Sequence, residues 1–244
     1  MQHEAFVAQI RSQCTALRSA VTQVGPDADV PTCPRWTTRR LVGHLAKVQV
    51  WVRAGLRKIS VEDLGAGRPP EDWDSLLAWW DEHLALLLDE LADPEAPAWL
   101  PFDRAPQTAG AWARRQAHEA AIHRLDAEHA RAGSAAADAV PGLAFDPGFA
   151  ADGIEELLGW LVPRLDSAKS APRAGAVLLG AADAGRSWTV RVEPGVPPEL
   201  EAGGRTGDAT VTGTADAVYR QLWGRPSHAS VAGDTGLLDP LRAP

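Results

Sequence analysis

Glu119 and His123 stand four residues apart in the run His118-Glu-Ala-Ala-Ile-His123, inside a stretch whose pattern predicts a helix. On a helix that spacing separates two side chains by about 40° and one turn, so both project from one face and can share a ligand. Trp112 and Ile122 lie toward the same face, which predicts that it points inward. A carboxylate buried there needs a cation, a hydrogen-bond network or a proton. His44 offers a third donor: it follows Leu41 by three residues and precedes Val48 by four, which puts it on a core-facing stripe of another helical pattern. Two histidines and a glutamate are the ligand set of several catalytic zinc sites that keep a fourth position open. Helical bundles build metal centres from such inward side chains on different helices. Spacing alone leaves two plainer readings standing, His44 as a hydrogen-bonded core histidine and Glu119/His123 as a solvated i,i+4 pair. The metalloprotease pattern H-E-x-x-H sets its histidines four apart. Here His118 and His123 are five apart, about 140° around a straight helix, and cannot grip one ion together.

Other chemistry-bearing residues are more weakly placed. His83 shares an inward stripe with Trp80 and Leu87 and reads as a core or rim residue, while His118 falls beside the metal face as packing or outer support. Asp126 can orient the His123 ring or sit as a surface charge. The Arg114-Arg115 pair reads as a solvated edge or, less readily, as a contact for an acidic substrate. Cys33, between Thr32 and Pro34, reads as a small apolar anchor. With Cys14 and Cys33 as the only cysteines, there is neither a zinc knuckle nor a Cys-x-x-Cys pair, and sulfur chemistry would need a thiol from outside.

The elements that must position these residues follow from periodicity. Phe6, Ile10, Leu17 and Val21 predict a first helix from His3 to about Val24, closed by Gly25-Pro26. The proline-bearing run Val30–Trp36 is expected to be extended before Thr37 or Thr38 caps a second helix, which carries Leu41, Leu45, Val48, Val52 and Leu56 and ends near Lys58. A third helix is expected from Trp73 to Leu91 and, after a proline-rich connection, a fourth from about Thr108 to Ala132. This is a four-helix bundle over residues 1–132. Residues 133–168 read as a linker with a short helix, Asp152 to Leu165. Over 169–244 the period changes: Gly175–Gly180, Ser187–Val192 and Ala209–Thr212 read as strands with a helix from Thr214 to Trp223 behind them, a small α/β domain. The fold class is therefore α + α/β.

Composition narrows the partners. The 244 residues are 45% hydrophobic and 23% charged, with a net charge of −8 and a pI near 5.4. That suits a globular protein acting on small molecules, with no nucleic-acid or anionic-membrane partner. The N-terminus lacks a signal-peptide pattern and no stretch is long and apolar enough to span a membrane, so a cytoplasmic location is expected. Arginine, alanine, glycine and proline are abundant, a hint of a GC-rich genome.

The run Val30-Pro-Thr-Cys-Pro-Arg-Trp-Thr37, followed by Leu41-Val-Gly-His-Leu45, resembles the approach to the second helix in the mycothiol-dependent maleylpyruvate isomerase family, a branch of the DinB-like bundles. The run Arg114-Arg-Gln-Ala-His-Glu-Ala-Ala-Ile-His-Arg-Leu-Asp-Ala-Glu128 is similar to that family's metal-binding helix. Asp208–Gly213 and Ala217–Arg225 are similar to its sterol-carrier-like C-terminal domain. The resemblance implies a divalent metal, zinc being the expected ion, on His44, Glu119 and His123, and mycothiol as thiol cofactor. One departure is visible: the family usually has glycine where Arg35 stands, which puts a cation at the pocket rim. The activity implied is isomerisation of, or S-transfer to, a small electrophilic substrate, in a monomer or weak homodimer. A non-catalytic metal- and ligand-binding protein and a metal-assisted hydrolase use the same ligands. Recognition of a sugar-bearing thiol needs donors that the apolar bundle face lacks. Arg220 and Arg225 are the candidates, though arginines at a helix C-terminus are favoured electrostatically whatever the function.

Overall fold

The computed structural model describes residues 1–204 and 206–243, except for the side chains of residues 167 and 168. The chain divides into two units, one of residues 2–101 and 105–140, the other of residues 141–244 together with Met1 and Phe102–Arg104.

The first unit holds the four expected helices: α1 (His3–Val24), α2 (Thr38–Arg57), α3 (Trp73–Glu90) and α4 (Ala109–Ala132). The N-termini of α2, α3 and α4 are set by side-chain caps that satisfy otherwise orphaned amides. Thr37 accepts from Arg40 N, Asp72 from Ser75 N and Thr108 from Ala111 N. At the other end of α4, Gly133 takes the left-handed conformation that stops the helix. α1 packs along α4, and α2 packs on both α3 and α4. α4 is the central element, buried on nearly every face, with Ala113, Ala117, Ala120, Ala121 and Ala127 letting its neighbours approach closely. That burial explains why polar residues pointing in different directions from α4, such as His118 and His123, are both out of solvent.

The proline-rich connection between α3 and α4 is pinned rather than loose. Pro97 and Thr108 form an isolated bridge, Trp99 N donates to Gly55 O on α2, and Trp112 Nε1 donates to Trp99 O at 2.8 Å. Gly55 permits this. A Cβ there would lie 2.8 Å from Trp99 O and 3.1 Å from Trp112 Nε1.

The second unit is a five-stranded mixed sheet in the order β3-β2-β1-β4-β5: β1 (Gly175–Ala181), β2 (Arg186–Glu193), β3 (Val196–Ala202), β4 (Ala209–Gly213) and β5 (Ser230–Gly233). β1 pairs parallel with β4 and the other neighbours are antiparallel. Val177, Leu179, Trp188, Val190, Val192 and Val211 alternate with more exposed residues and make the buried face. α6 (Ala215–Leu222) packs on β1 and β4, and α5 (Pro147–Glu156) packs on α6.

Two expectations about this unit need correction. The helix expected from Asp152 starts earlier, at Pro147, with the Asp146 carboxylate accepting from Gly148 N and Phe149 N; a cap followed by proline at the first helical position is a start signal that the linker-like composition hid. Two strands are also added to the three expected. β3 carries Pro197 and Pro198, which an edge strand tolerates, and β5 is four exposed residues. Among the described residues no helix is long and apolar enough to cross a membrane.

Gly55→Ala is expected to lower stability by about 1–2 kcal/mol in thermal or denaturant unfolding, because the steric cost of overpacking outweighs alanine's helix preference. A stabilised Gly55→Ala protein would show that the α2 to Trp99 contact yields easily.

Candidate metal centre

Three donors meet where α2 runs beside α4. His44 Nε2 lies 3.1 Å from Glu119 Oε1, and His123 Nε2 lies 3.3 Å from the same oxygen. One ligand atom from each residue falls within 4.8 Å of the others. The spacing that puts Glu119 and His123 one turn apart thus brings both to the His44 side of α4. The ring centroids of His44 and His123 are 4.9 Å apart, nearly perpendicular. His123 is buried, whereas the His44 side chain is 35% exposed and that of Glu119 15%, so the centre is reached from the His44 side.

The surrounding groups fix the charge state. Arg115, one turn before Glu119 on α4, donates from its guanidinium to Glu119 Oε2 at 2.8 Å. Burial alone would favour protonated Glu119, but hydrogen bonds from His123 and His44, with the charges of His123 and Arg115, hold its pKa well below the usual carboxylate range. Burial likewise disfavours protonated His123; the hydrogen bonds and charges of Asp126 and Glu119 outweigh it and push the pKa up to about 9. Both shifts favour the charged forms, carboxylate on Glu119 and imidazolium on His123, so a cation binding through His123 Nε2 would compete with a proton there.

Asp126 answers the question left open by its spacing. It is fully buried and its Oδ2 lies 2.9 Å from His123 Nδ1. With the Nδ1 proton directed at that carboxylate, the Nε2 lone pair of neutral His123 faces Glu119 and His44, as in metal sites whose histidines are oriented by an outer carboxylate. Thr32 Oγ1 donates to Asp126 Oδ1 at 2.6 Å, and the Cys33 thiol donates to Oδ2 at 3.3 Å. Trp36 completes the surroundings, with its ring 5.0 Å from that of His44 and 5.9 Å from that of His123, the latter nearly parallel.

This donor set fits a divalent cation. Two imidazole nitrogens and a carboxylate oxygen converge, the Asp126 contact at Nδ1 turns the His123 ring so that Nε2 faces the other two donors, and the carboxylate form of Glu119 is favoured.

Two protein-family models match the chain. The family model described as "Mycothiol maleylpyruvate isomerase N-terminal domain" matches residues 7–128, and that described as "MDMPI C-terminal domain" matches residues 148–240. The chain belongs to the mycothiol maleylpyruvate isomerase family. No match was found among curated proteins or solved structures.

Apart from Arg115, the remaining candidates of this family member lie away from these three donors. His118 is buried against Phe6 of α1, with ring centroids 6.2 Å apart. His83 stacks edge-on against Trp79 and pairs through Nδ1 with the Arg53 guanidinium at 2.7 Å. Burial and the Arg53 charge lower its pKa. Arg115 is not the solvated edge its sequence neighbours suggest, being 4% exposed and committed to Glu119. Cys14 is buried, and burial pushes its thiol up to about 12, which leaves it inert near neutral pH. In the second unit Arg220 is buried; it donates to Asp216 Oδ1 and Leu143 O, with its guanidinium over Phe145. Arg225 is half-buried and donates to Trp223 O. The part played by Arg115 had a usable signal, its i,i+4 spacing to Glu119. Nothing local pointed to Thr32 and Trp36.

Asp126→Ala should weaken zinc binding about 10- to 100-fold in a chelator competition, the usual scale for losing an outer-shell partner. Unchanged affinity would mean that the His123 ring needs no such support.

Proposed function

We propose that the protein is a metal-dependent enzyme that uses mycothiol as its thiol in isomerising, or transferring sulfur to, a small electrophilic substrate. The observation that carries this reading is the convergence of His44, Glu119 and His123 within 4.8 Å in a chain of the mycothiol maleylpyruvate isomerase family. A divalent metal held there, zinc being the ion this donor set suits, would keep a thiol ionised at neutral pH.

The chain's own residues make the other contributions. Arg115 holds Glu119 Oε2, and its charge adds to the hydrogen bonds of His123 and His44 that keep the carboxylate ionised. Asp126 holds the proton at His123 Nδ1, away from the donor atom. Partial exposure of His44 provides the approach for small molecules. The buried Cys14 does not compete as a nucleophile. Isomerisation follows if the thiol adds to the substrate's activated double bond, the remaining single bond rotates and the thiol leaves; S-transfer follows if the adduct persists. Thiol recognition is assigned to Arg220 or Arg225. Within the second unit Arg220 donates to Asp216 and to Leu143 O, and Arg225 donates to Trp223 O.

His44→Ala, Glu119→Ala and His123→Ala should each lose bound metal on elemental analysis, while His118→Ala and His83→Ala retain it. Full metal content in Glu119→Ala would rule out this centre. With cobalt as the spectroscopic probe, reduced mycothiol should change the metal's absorption; a spectrum indifferent to thiol would favour a non-catalytic binding protein or a hydrolase. Arg225→Ala should weaken mycothiol binding about tenfold at unchanged metal content, the scale of one lost charged hydrogen bond. Equal affinity would remove Arg225 from the thiol site.

A further inference from the structure

The segment before α2 is a closed loop rather than a plain extended run. Val30 N donates to Trp36 O, Cys33 N to Val30 O and Trp36 N to Cys33 O, all at 2.9–3.0 Å, and Asp29 bridges to Thr37. Closing it places Arg35 in the left-handed region, at φ 73°. For a residue with a Cβ that conformation costs about 1–2 kcal/mol. It persists only where the surroundings over-determine it.

What the closed loop achieves is the placement of three side chains against α4. Thr32 and Cys33 donate to the two oxygens of Asp126, and Trp36 packs against the rings of both His44 and His123. Asp126 has no exposure to water, so protein donors must replace its hydration and fix its orientation. An Asp126 carboxylate that shifted or turned would no longer hold His123 by Nδ1.

We propose that Thr32, Cys33 and Trp36 are positioning residues of the metal centre, forming with Asp126 a clamp that sets the His123 ring before any ion arrives. The proposal rests on the reading of His44, Glu119 and His123 as metal ligands. Thr32 and Cys33 act on the ligand through Asp126, and Trp36 acts directly on the ligand rings. Because Thr32 and Asp126 are separated by 94 residues, loop closure and ligand geometry are coupled across the bundle. By reciprocity, whatever the closed loop adds to metal affinity, the metal adds to loop closure.

The test uses the full-length protein and zinc. Zinc dissociation constants are measured by chelator competition for the wild type, Thr32→Val, Thr32→Ser, Cys33→Ala and His123→Ala, with melting temperatures of metal-free and zinc-loaded forms and the His123 Nδ1 proton resonance of the zinc-loaded forms. Thr32→Val keeps the side chain's shape and removes its hydroxyl. It is expected to weaken zinc about tenfold, move the Nδ1 resonance and lower the zinc-loaded melting temperature more than the metal-free one. Thr32→Ser is expected to restore all three. Cys33→Ala, which deletes the weaker donor, should shift them in the same direction by less, and it carries the test if Thr32→Val fails to fold. A merely structural Thr32 would lower both melting temperatures equally with unchanged zinc affinity and resonance, and that result overturns the clamp. Wild-type protein that binds zinc no more tightly than His123→Ala would instead overturn the metal reading on which the clamp depends.

Discussion

Burying the Glu119 carboxylate on α4 withdraws it from water, and the groups around it must supply what water no longer does. The Arg115 guanidinium takes one of its oxygens, and the two histidines take the other. The His123 imidazole is held in turn by Asp126, which is itself buried and held by Thr32 and Cys33. Each buried polar group thus creates the need for the next, and the series runs from the centre of α4 out to the loop before α2. Such a network is worth keeping only when it is completely satisfied. Its innermost members are also the donor types and spacings that suit a divalent cation.

The rest of the bundle can be understood as the means of keeping α4 central. Its alanines allow α1 and α2 to come close. Near the C-terminal end of α2, Gly55 admits the backbone of Trp99, whose carbonyl ties down Trp112 of α4. These contacts fix how α2 lies along α4, and so fix the distance from His44 to Glu119. Ligands from two helices can converge only if the helices themselves cannot slide.

Much of this was legible in the amino-acid sequence because it is local. The helices repeat their apolar residues at helical spacing, and the i,i+4 relation of Glu119 and His123 on α4 follows from the same period. What was not legible depends on meetings between distant segments. Thr32 and Cys33 give no sign of facing Asp126, and Arg115 reads as a surface cation until α4 is seen to be buried on nearly all sides. In the second unit, β3 was hidden by its two prolines and β5 by its short exposed sequence, since neither shows the apolar alternation of a half-buried strand. The start of α5 was hidden differently: Asp146-Pro147 serves equally well as a turn or as a cap.

The proposed chemistry, a thiol brought to a bound ion, rests on membership of the mycothiol maleylpyruvate isomerase family and on the convergence of His44, Glu119 and His123 on one point of the bundle. X-ray absorption of the zinc-loaded protein, before and after addition of reduced mycothiol, examines that claim at the atom concerned. The expected result is a shell of nitrogen and oxygen with two imidazoles, gaining one sulfur at about 2.3 Å when the thiol is added. A zinc environment without histidine, or one that takes up no sulfur at saturating mycothiol, would contradict it.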